Sequence, residues 1–146
     1  MLSTVQHLHR KLHKRWVPKW YGAFCDAENG GFHERLGRSF KPVDVGYKRL
    51  VTQCRQLAVY AHASTVKGGK NYNSELTNQF RFLIDHYHID KTPGSWRFSV
   101  SNDGQPHDET LDLYGHAFVI FTMCHVSRGF QGKPDIIKTS QDMAGQ

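Results

Sequence analysis

Cysteine is scarce in this chain of 146 residues, which contains three: Cys25, Cys54 and Cys124. They are widely separated, and no Cys-x-x-Cys pair occurs. An odd, sparse set of this kind excludes a disulfide framework and the usual ligand spacing of a structural zinc site. The sequence therefore predicts reduced thiols, as in a cytoplasmic protein, and no bound metal.

Long apolar segments are also missing. No uninterrupted apolar run is longer than the one from Ala117 to Phe121, far below the roughly 20 residues that a membrane-spanning helix needs. The N-terminal segment turns basic before the apolar core of a signal peptide can form. Neither a glycine-rich phosphate loop nor a nucleotide-binding fingerprint occurs. We therefore expect a soluble, non-exported, cytoplasmic protein without a membrane partner or a cofactor.

Negative charge is in deficit, because 19 Lys and Arg residues against 13 Asp and Glu residues give a formal net charge of +6. Much of the excess lies between His7 and Lys19, on the polar side of an amphipathic helical pattern. The interleaved basic and aromatic residues that are typical of nucleic-acid binding do not accompany it. The pattern indicates a solvated helix face, and we expect no nucleic-acid partner.

Apolar spacing predicts a mainly helical chain. Residues 2–20 carry one apolar stripe, with Pro18 predicting a kink or an end. Four more helices are predicted: over residues 44–64, from a cap at Ser74, from near Asp108, and from Pro134. The one from Asp108 is apolar around most of its second half, which predicts burial on both faces. Short hairpins or loops lie between the helices, marked by Gly30-Gly31 and by the turn at residues 102–104.

The pattern repeats along the chain at one constant offset, the one that relates Gly30 to Gly94. The matching pairs are Leu12/Leu76, Trp16/Phe80, Trp20/Ile84, Gly30/Gly94, Phe32/Trp96, Leu36/Val100, Pro42/Pro106 and Asp44/Asp108. Each unit is a helix, a short hairpin and a helix, and such units bury their faces against neighbouring units. The chain is long enough for slightly more than two units. It therefore predicts an all-α fold that forms the opening arc of a larger α/α toroid.

Four segments carry a recognisable combination of motifs: residues 30–34 (GGFHE), 48–57 (KRLVTQCRQL), 94–100 (GSWRFSV) with a turn at 103–104, and 112–119 (DLYGHAFV). Together they resemble the N-acylglucosamine 2-epimerase family, which also holds cellobiose 2-epimerases and the mannose and sulfoquinovose isomerases. The resemblance implies an (α/α)6 barrel. Residues 1–146 would form its incomplete N-terminal part, about two helical hairpins and the start of a third.

The resemblance also implies a reaction, the transfer of the C2 proton of an aldose through an enediolate by a sugar isomerase or 2-epimerase. Arg55 matches the family's active-site arginine, whose permanently charged guanidinium suits sugar oxygens or the enediolate. Tyr114 matches a substrate-contacting tyrosine. His116 is a candidate for lining or supporting the pocket. The expected ligand is a monosaccharide or another small sugar.

No catalytic residue is assigned in this chain, because none of its ten histidines matches the family's acid/base histidines. Two other functions stay open. One is an inactive fragment that associates with a partner, with a full-length relative or with itself through the open barrel edge. The other is a glycoside hydrolase, which needs two opposed carboxyl groups. Asp44, Asp108 and Asp112 are available for that role, although Asp44 and Asp108 resemble helix caps, and Glu34 lies on a loop that could face the cavity.

Overall fold

A computed structural model describes residues 3–89, 94–130 and 133–145. Its helices are α1 (Thr4–Lys11), α2 (Val17–Phe24), α3 (Leu50–Thr65), α4 (Asn73–Tyr87), α5 (Leu113–Gly129) and α6 (Pro134–Ala144). Its strands are β1 (Tyr47–Arg49), β2 (Ser99–Ser101) and β3 (Pro106–Asp108), which form one antiparallel sheet in that order. Within the described ranges, no helix is both long and apolar enough to cross a membrane.

A π-helical turn, Leu12–Trp16, joins α1 to α2 directly before Pro18. Proline has no N–H to donate to the carbonyl four residues earlier, and its ring crowds that carbonyl. The wider turn accommodates both effects at the place where the sequence predicts a kink, and the alternative, an end near Pro18, is wrong. The helical path continues to Phe24.

The two central helices begin later than the sequence pattern predicts. The prediction that Asp44 and Asp108 begin them is wrong, because both carboxylates form local turns upstream. Asp44 accepts the N–H of Gly46 at 2.8 Å, and Asp108 accepts the N–H of Thr110 at 2.9 Å. The actual cap of α5 is Asp112, which accepts two backbone N–H groups of the first turn.

The start of α4 also differs from the prediction. Ser74 lies inside the helix and donates to Glu75 at 2.9 Å instead of capping the helix. The upstream Asn71 accepts the N–H of Asn73 at 2.8 Å and so shapes the entry into α4. The predicted stop at residues 92–94 falls partly outside the described residues, and α4 ends before it, at Tyr87. Helix α6 begins at Pro134, as predicted.

Helices α3 and α5 run parallel and form the inner pair of the fold. Three small residues of α5 face three residues of α3 in the same order along both helices: Gly115, Thr122 and Gly129 against Leu50, Cys54 and Ala61. A methyl group at Gly129 would lie 2.5 Å from the carbonyl oxygen of Ala61, so glycine permits this close approach. Helices α2, α4 and α6 pack around this pair as an outer layer.

Helix α5 is not buried on both faces, contrary to the prediction from its composition. Leu113 is 86% exposed, Ile120 is 52% exposed, and Cys124 is also exposed. The residues at the same helical positions of α3 are Leu50, Leu57 and Ala61, which are buried. On α3 this face is covered by the next inner helix, because Leu50 and Ala61 contact α5. The exposed row of α5 is therefore the equivalent face, the one on which a further inner helix would pack.

The repeat is visible in the backbone of the two loops. Leu36 pairs with Pro42 in the first loop, and Val100 pairs with Pro106 in the second, so the two pairings are related by the predicted offset. The helices differ from the prediction by a single position, because α3 and α5 start one position closer together than the loops do. The segment between the outer helix and the loop glycine is one residue longer in the second repeat, and the segment between that glycine and the inner helix is one residue shorter. The two changes cancel, so they shift the loops relative to the helices and leave the helices at one common offset.

Candidate functional site

Arg55 and Tyr114 lie on neighbouring inner helices and contact the same aromatic ring. The guanidinium carbon of Arg55 is 5.2 Å from the ring centroid of Phe118. The rings of Tyr114 and Phe118 are 5.0 Å apart and meet edge to face. Arg55 and Tyr114 are both exposed, and Arg55 forms no ion pair within the described part of the chain. Both side chains can therefore donate hydrogen bonds to a ligand on this face.

His116, the third residue of the sequence prediction, is engaged with the backbone of the protein. Its Nε2 accepts the N–H of Trp96 at 3.2 Å, and its Nδ1 lies 2.8 Å from the carbonyl oxygen of Asp112. Because a carbonyl can only accept, this pair of contacts requires a neutral ring with its proton on Nδ1. His116 thus holds the second loop against the start of α5.

In the first repeat, Gln53 holds the loop against the inner helix in the same way. It occupies the position in α3 that His116 occupies in α5. Its side chain accepts the N–H of Phe32 at 2.7 Å and donates to the Phe32 carbonyl at 2.8 Å. Phe32 and Trp96 are the two repeat-related loop aromatics, and both are buried. The structure therefore gives His116 a role in positioning the loop, and it brings the other two predicted residues together around one ring.

Lys48 is a buried residue that the sequence analysis did not single out, and its side chain is only 1% exposed. Its ammonium group donates to the Asp26 carboxylate at 2.8 Å, to the Gly30 carbonyl at 2.8 Å and to the Asn102 carbonyl at 2.9 Å. These partners come from the loops of both repeats. All three N–H donors are used, so Lys48 clamps the two loops together beneath the sheet.

Glu34 does not offer a free carboxylate to the cavity. Its side chain is largely buried and accepts from the backbone and the guanidinium of Arg49 and from the Thr52 hydroxyl. Glu34 and Arg49 form part of a cleft of about 470 Å³ at the loop end of α3, together with Trp20 and Tyr47. The pair thus fixes the wall of this cleft.

Comparison with known proteins identifies the family. The family model of N-acylglucosamine 2-epimerase (GlcNAc 2-epimerase) matches residues 30–143, which is most of the chain. The chain belongs to this family.

Curated relatives of this epimerase family include two cellobiose 2-epimerases. The one from Bacteroides fragilis is 27% identical over 132 residues, which are 90% of this chain and 33% of the relative. The one from Dictyoglomus turgidum is 26% identical over 134 residues, 92% of this chain and 33% of the relative. The chain spans about a third of the length of these relatives.

Solved structures of epimerases share the fold. The cellobiose 2-epimerase of Spirochaeta thermophila matches with a TM-score of 0.77 at 24% identity, over 94% of this chain and 33% of that one. A sugar epimerase from a ruminal bacterium matches with a TM-score of 0.78 at 22% identity, over 97% and 36%. The predicted partial (α/α)6 toroid with short β-hairpins is therefore confirmed.

The carboxylates that the hydrolase alternative would use already accept hydrogen bonds from nearby backbone N–H groups. Backbone N–H groups hold the pKa of Asp44 and of Asp108 below the usual range, the N–H of Gly46 and that of Thr110 being the main causes. A glycosidase needs one carboxyl group that stays protonated to assist the leaving group. Asp112 caps α5. The family match and these contacts together argue against the hydrolase alternative.

Proposed function

We propose that residues 1–146 form the sugar-binding N-terminal part of a single (α/α)6 domain that moves the C2 proton of an aldose. The reaction class is sugar 2-epimerisation or aldose–ketose isomerisation. One observation carries the proposal: Arg55 and Tyr114 meet at Phe118 on the exposed face of the inner helix pair, in a chain of this family. Cellobiose, the sugar in the names of the relatives, is the first substrate to test.

Arg55 would stabilise the charge that develops during proton transfer. Removal of the C2 proton of an open-chain aldose leaves negative charge on the carbonyl oxygen, and a guanidinium keeps its positive charge at every pH that the protein tolerates. The Phe118 ring lies beside it, with the guanidinium carbon within cation–π distance of the ring centroid. Preorganised donors of this kind are among the largest contributions to enzymatic catalysis.

Tyr114 and His116 would have different tasks. The Tyr114 hydroxyl, two helical positions from His116, donates to or accepts from a sugar hydroxyl. His116 acts through the loop, because its two ring nitrogens hold the Trp96 N–H and the Asp112 carbonyl. The proton-transfer steps themselves are assigned to no residue of this chain.

A chimera tests the proposal. This chain replaces the matched third of the Bacteroides fragilis cellobiose 2-epimerase, and NMR in D₂O follows both the epimer of cellobiose and deuterium incorporation at C2. Arg55→Gln should lower kcat/KM by about 100- to 1,000-fold, the usual loss when one donor to a developing oxyanion is removed. Arg55→Lys should retain part of the activity, because it keeps the charge and loses the planar fork.

The matched control is Arg81→Gln, since Arg81 is an exposed arginine on the outer helix α4. It should leave kcat/KM unchanged. A chimera that folds, as judged by circular dichroism, but neither epimerises cellobiose nor exchanges its C2 proton contradicts the proposed function. Full activity in Arg55→Gln contradicts the role of Arg55.

A second candidate function is association through the uncovered edges of the arc, which the exposed apolar side chains favour. Val5 and Leu8 on α1 and Leu113 and Ile120 on α5 are all more than half exposed. Apolar side chains exposed in this way favour association. We expect the 146-residue chain to be oligomeric in light scattering, and a monodisperse monomer with a sharp, concentration-independent unfolding transition would contradict this.

A further inference from the structure

A second cavity, of about 360 Å³, lies between the N-terminal helical segment and the C-terminal halves of α3 and α5. Its walls are mainly apolar and aromatic, and they include Val59, Trp20 and Phe121. Three imidazoles also line it, those of His13, His62 and His125. We call it the histidine cavity. Its volume lies within the range of small-molecule sites.

The histidines come from three different elements, and the two on α3 and α5 are in ring contact. The rings of His62 and His125 are 5.6 Å apart and perpendicular, and the ring of Phe121 lies 4.5 Å from His125. His13 packs against His9 at 4.6 Å. The imidazoles at the cavity wall offer nitrogen atoms to a ligand that can form hydrogen bonds.

The charge around the histidine cavity has one sign. No carboxylate lines it in the described part of the chain, and His9 on α1 and Arg128 on α5 act on it electrostatically. Burial, followed by repulsion from His9 and His62, lowers the pKa of His13. Burial, followed by repulsion from His62 and Arg128, lowers the pKa of His125. A negative charge inside the cavity would reverse these penalties.

Metal binding does not fit this arrangement, because the described residues include no group of three or more His, Cys, Asp or Glu side chains placed to hold a metal ion. An apolar wall with imidazoles suits a different ligand. We propose that the histidine cavity binds a small carboxylate with an apolar or aromatic body, and that it takes up a proton on the imidazoles when the ligand binds.

This site adjoins the proposed sugar face, because the ring of Phe121 in the cavity lies 6.0 Å from the ring of Phe118. Its histidines lie further along the helices: His62 follows Arg55 by seven residues on α3, which corresponds to about 10 Å along a helix. The apolar body would contact Trp20, Val59 and Phe121, and the carboxylate would accept hydrogen bonds from protonated imidazoles. Binding and proton uptake are thermodynamically linked, so the affinity must rise as the pH falls.

Phenylacetate is a suitable probe, and the neutral phenylacetamide is its matched control. Trp20 lines the cavity, so tryptophan fluorescence of the 146-residue chain reports binding. A ligand of this size is expected to bind with a Kd on the order of 1 mM. We expect phenylacetate to bind about tenfold more tightly at pH 5.5 than at pH 7.5. Complete uptake of one proton sets the upper limit, about tenfold per pH unit and so about 100-fold over this interval. Phenylacetamide should show no such change.

The double variant His62→Gln/His125→Gln should lower phenylacetate affinity at pH 5.5 at least tenfold and abolish its pH dependence. His7→Gln, which changes an exposed histidine on α1 outside the cavity, should bind like the unchanged protein. If the double variant does not fold, NMR titration of the histidine ring protons in the unchanged protein provides the test. Saturating phenylacetate should then shift the His125 titration to higher pH.

Three results would overturn the inference: no binding of phenylacetate at pH 5.5, equal and pH-independent binding of phenylacetate and phenylacetamide, or an unchanged His125 titration in the presence of the ligand. None of these readouts measures sugar chemistry. Their failure therefore leaves the proposed function intact, and the failure of the chimera leaves this inference intact.

Discussion

Replacing Lys48 with methionine should be one of the most destabilising single changes in this protein. The substitution keeps an unbranched side chain, shorter by one heavy atom, and removes three hydrogen bonds from a group that is 1% exposed. It also leaves the buried Asp26 carboxylate without its cation. Removing one partner of a buried ion pair costs about 3–5 kcal/mol. For a chain of this size, that corresponds to a decrease in Tm of roughly 6–20 °C.

Thermal and guanidinium unfolding followed by circular dichroism measure the effect. Lys138→Met is the matched control, because Lys138 forms an ion pair with Asp142 one turn away but is 79% exposed. It should leave the stability essentially unchanged, because water screens an exposed ion pair. In a double-mutant cycle, Lys48→Met and Asp26→Asn should show a coupling energy of about 1–3 kcal/mol. A cost below about 1 kcal/mol for Lys48→Met, or additive effects in the cycle, would refute the clamp.

Acid provides an independent check on the same pair. Burial alone would raise the pKa of Asp26, but hydrogen bonds from Lys48 and Asn29 outweigh it and lower the pKa to about 2. An unfolded aspartate titrates near 4. The folded state therefore binds fewer protons between these values, and its stability decreases as the pH falls from about 4 to about 2. The Asp26→Asn variant should lack this part of the acid sensitivity.

Three further predictions follow from positions described above. Gly31→Ala should cost about 2–4 kcal/mol more than Gly68→Ala in chemical unfolding. Both glycines have positive φ, but of the two only Gly31 would place a methyl group 2.6 Å from a ring carbon, so equal costs would contradict this. The pKa values of His13 and His125 are lowered by burial, so stability should fall as the pH drops below about 6.5 and fall less in the double glutamine variant. His116→Gln should stay within about 1 kcal/mol of the parent, whereas His116→Leu should cost about 1–3 kcal/mol because a loop N–H loses its acceptor; a harmless leucine would refute the loop contact.

Much of the architecture was predictable because glycine and proline residues occur at equivalent positions in the two repeats. Gly30 and Gly94 both have positive φ, and Pro42 and Pro106 both pair with the residue six positions earlier. Such residues are tied to particular backbone conformations. They therefore preserve the register of the loops even where the side chains between them differ.

The starts of α3 and α5 were not predictable for a specific chemical reason. An aspartate whose side chain accepts the N–H two residues later looks the same in sequence at a helix cap and in a turn. Asp44 and Asp108 form turns, whereas Asp112 forms a cap. Deciding between them requires knowing where the sheet interrupts the chain, and its pairing joins segments that are distant in the sequence.

The candidate site was predictable in part. Arg55 and Tyr114 lie close together, and their roles stay predictions. The clamp at Lys48 was missed because lysine is rarely buried, and only the two loops together create its site. The histidine cavity was missed because His13, His62 and His125 are distant in the chain and no spacing rule connects them.

The small sheet has a consequence for the dynamics of the arc. Strand β1 precedes α3, β2 and β3 precede α5, and the N–H of Leu50 donates to the carbonyl of Phe98 at 2.8 Å. In an open solenoid, adjacent units can fray one at a time. Here one repeat cannot open without breaking the backbone hydrogen bonds that join β1 to β2 of the neighbouring repeat. Amide hydrogens at the starts of both inner helices should therefore exchange with solvent at one shared rate, set by a single cooperative opening of both repeats.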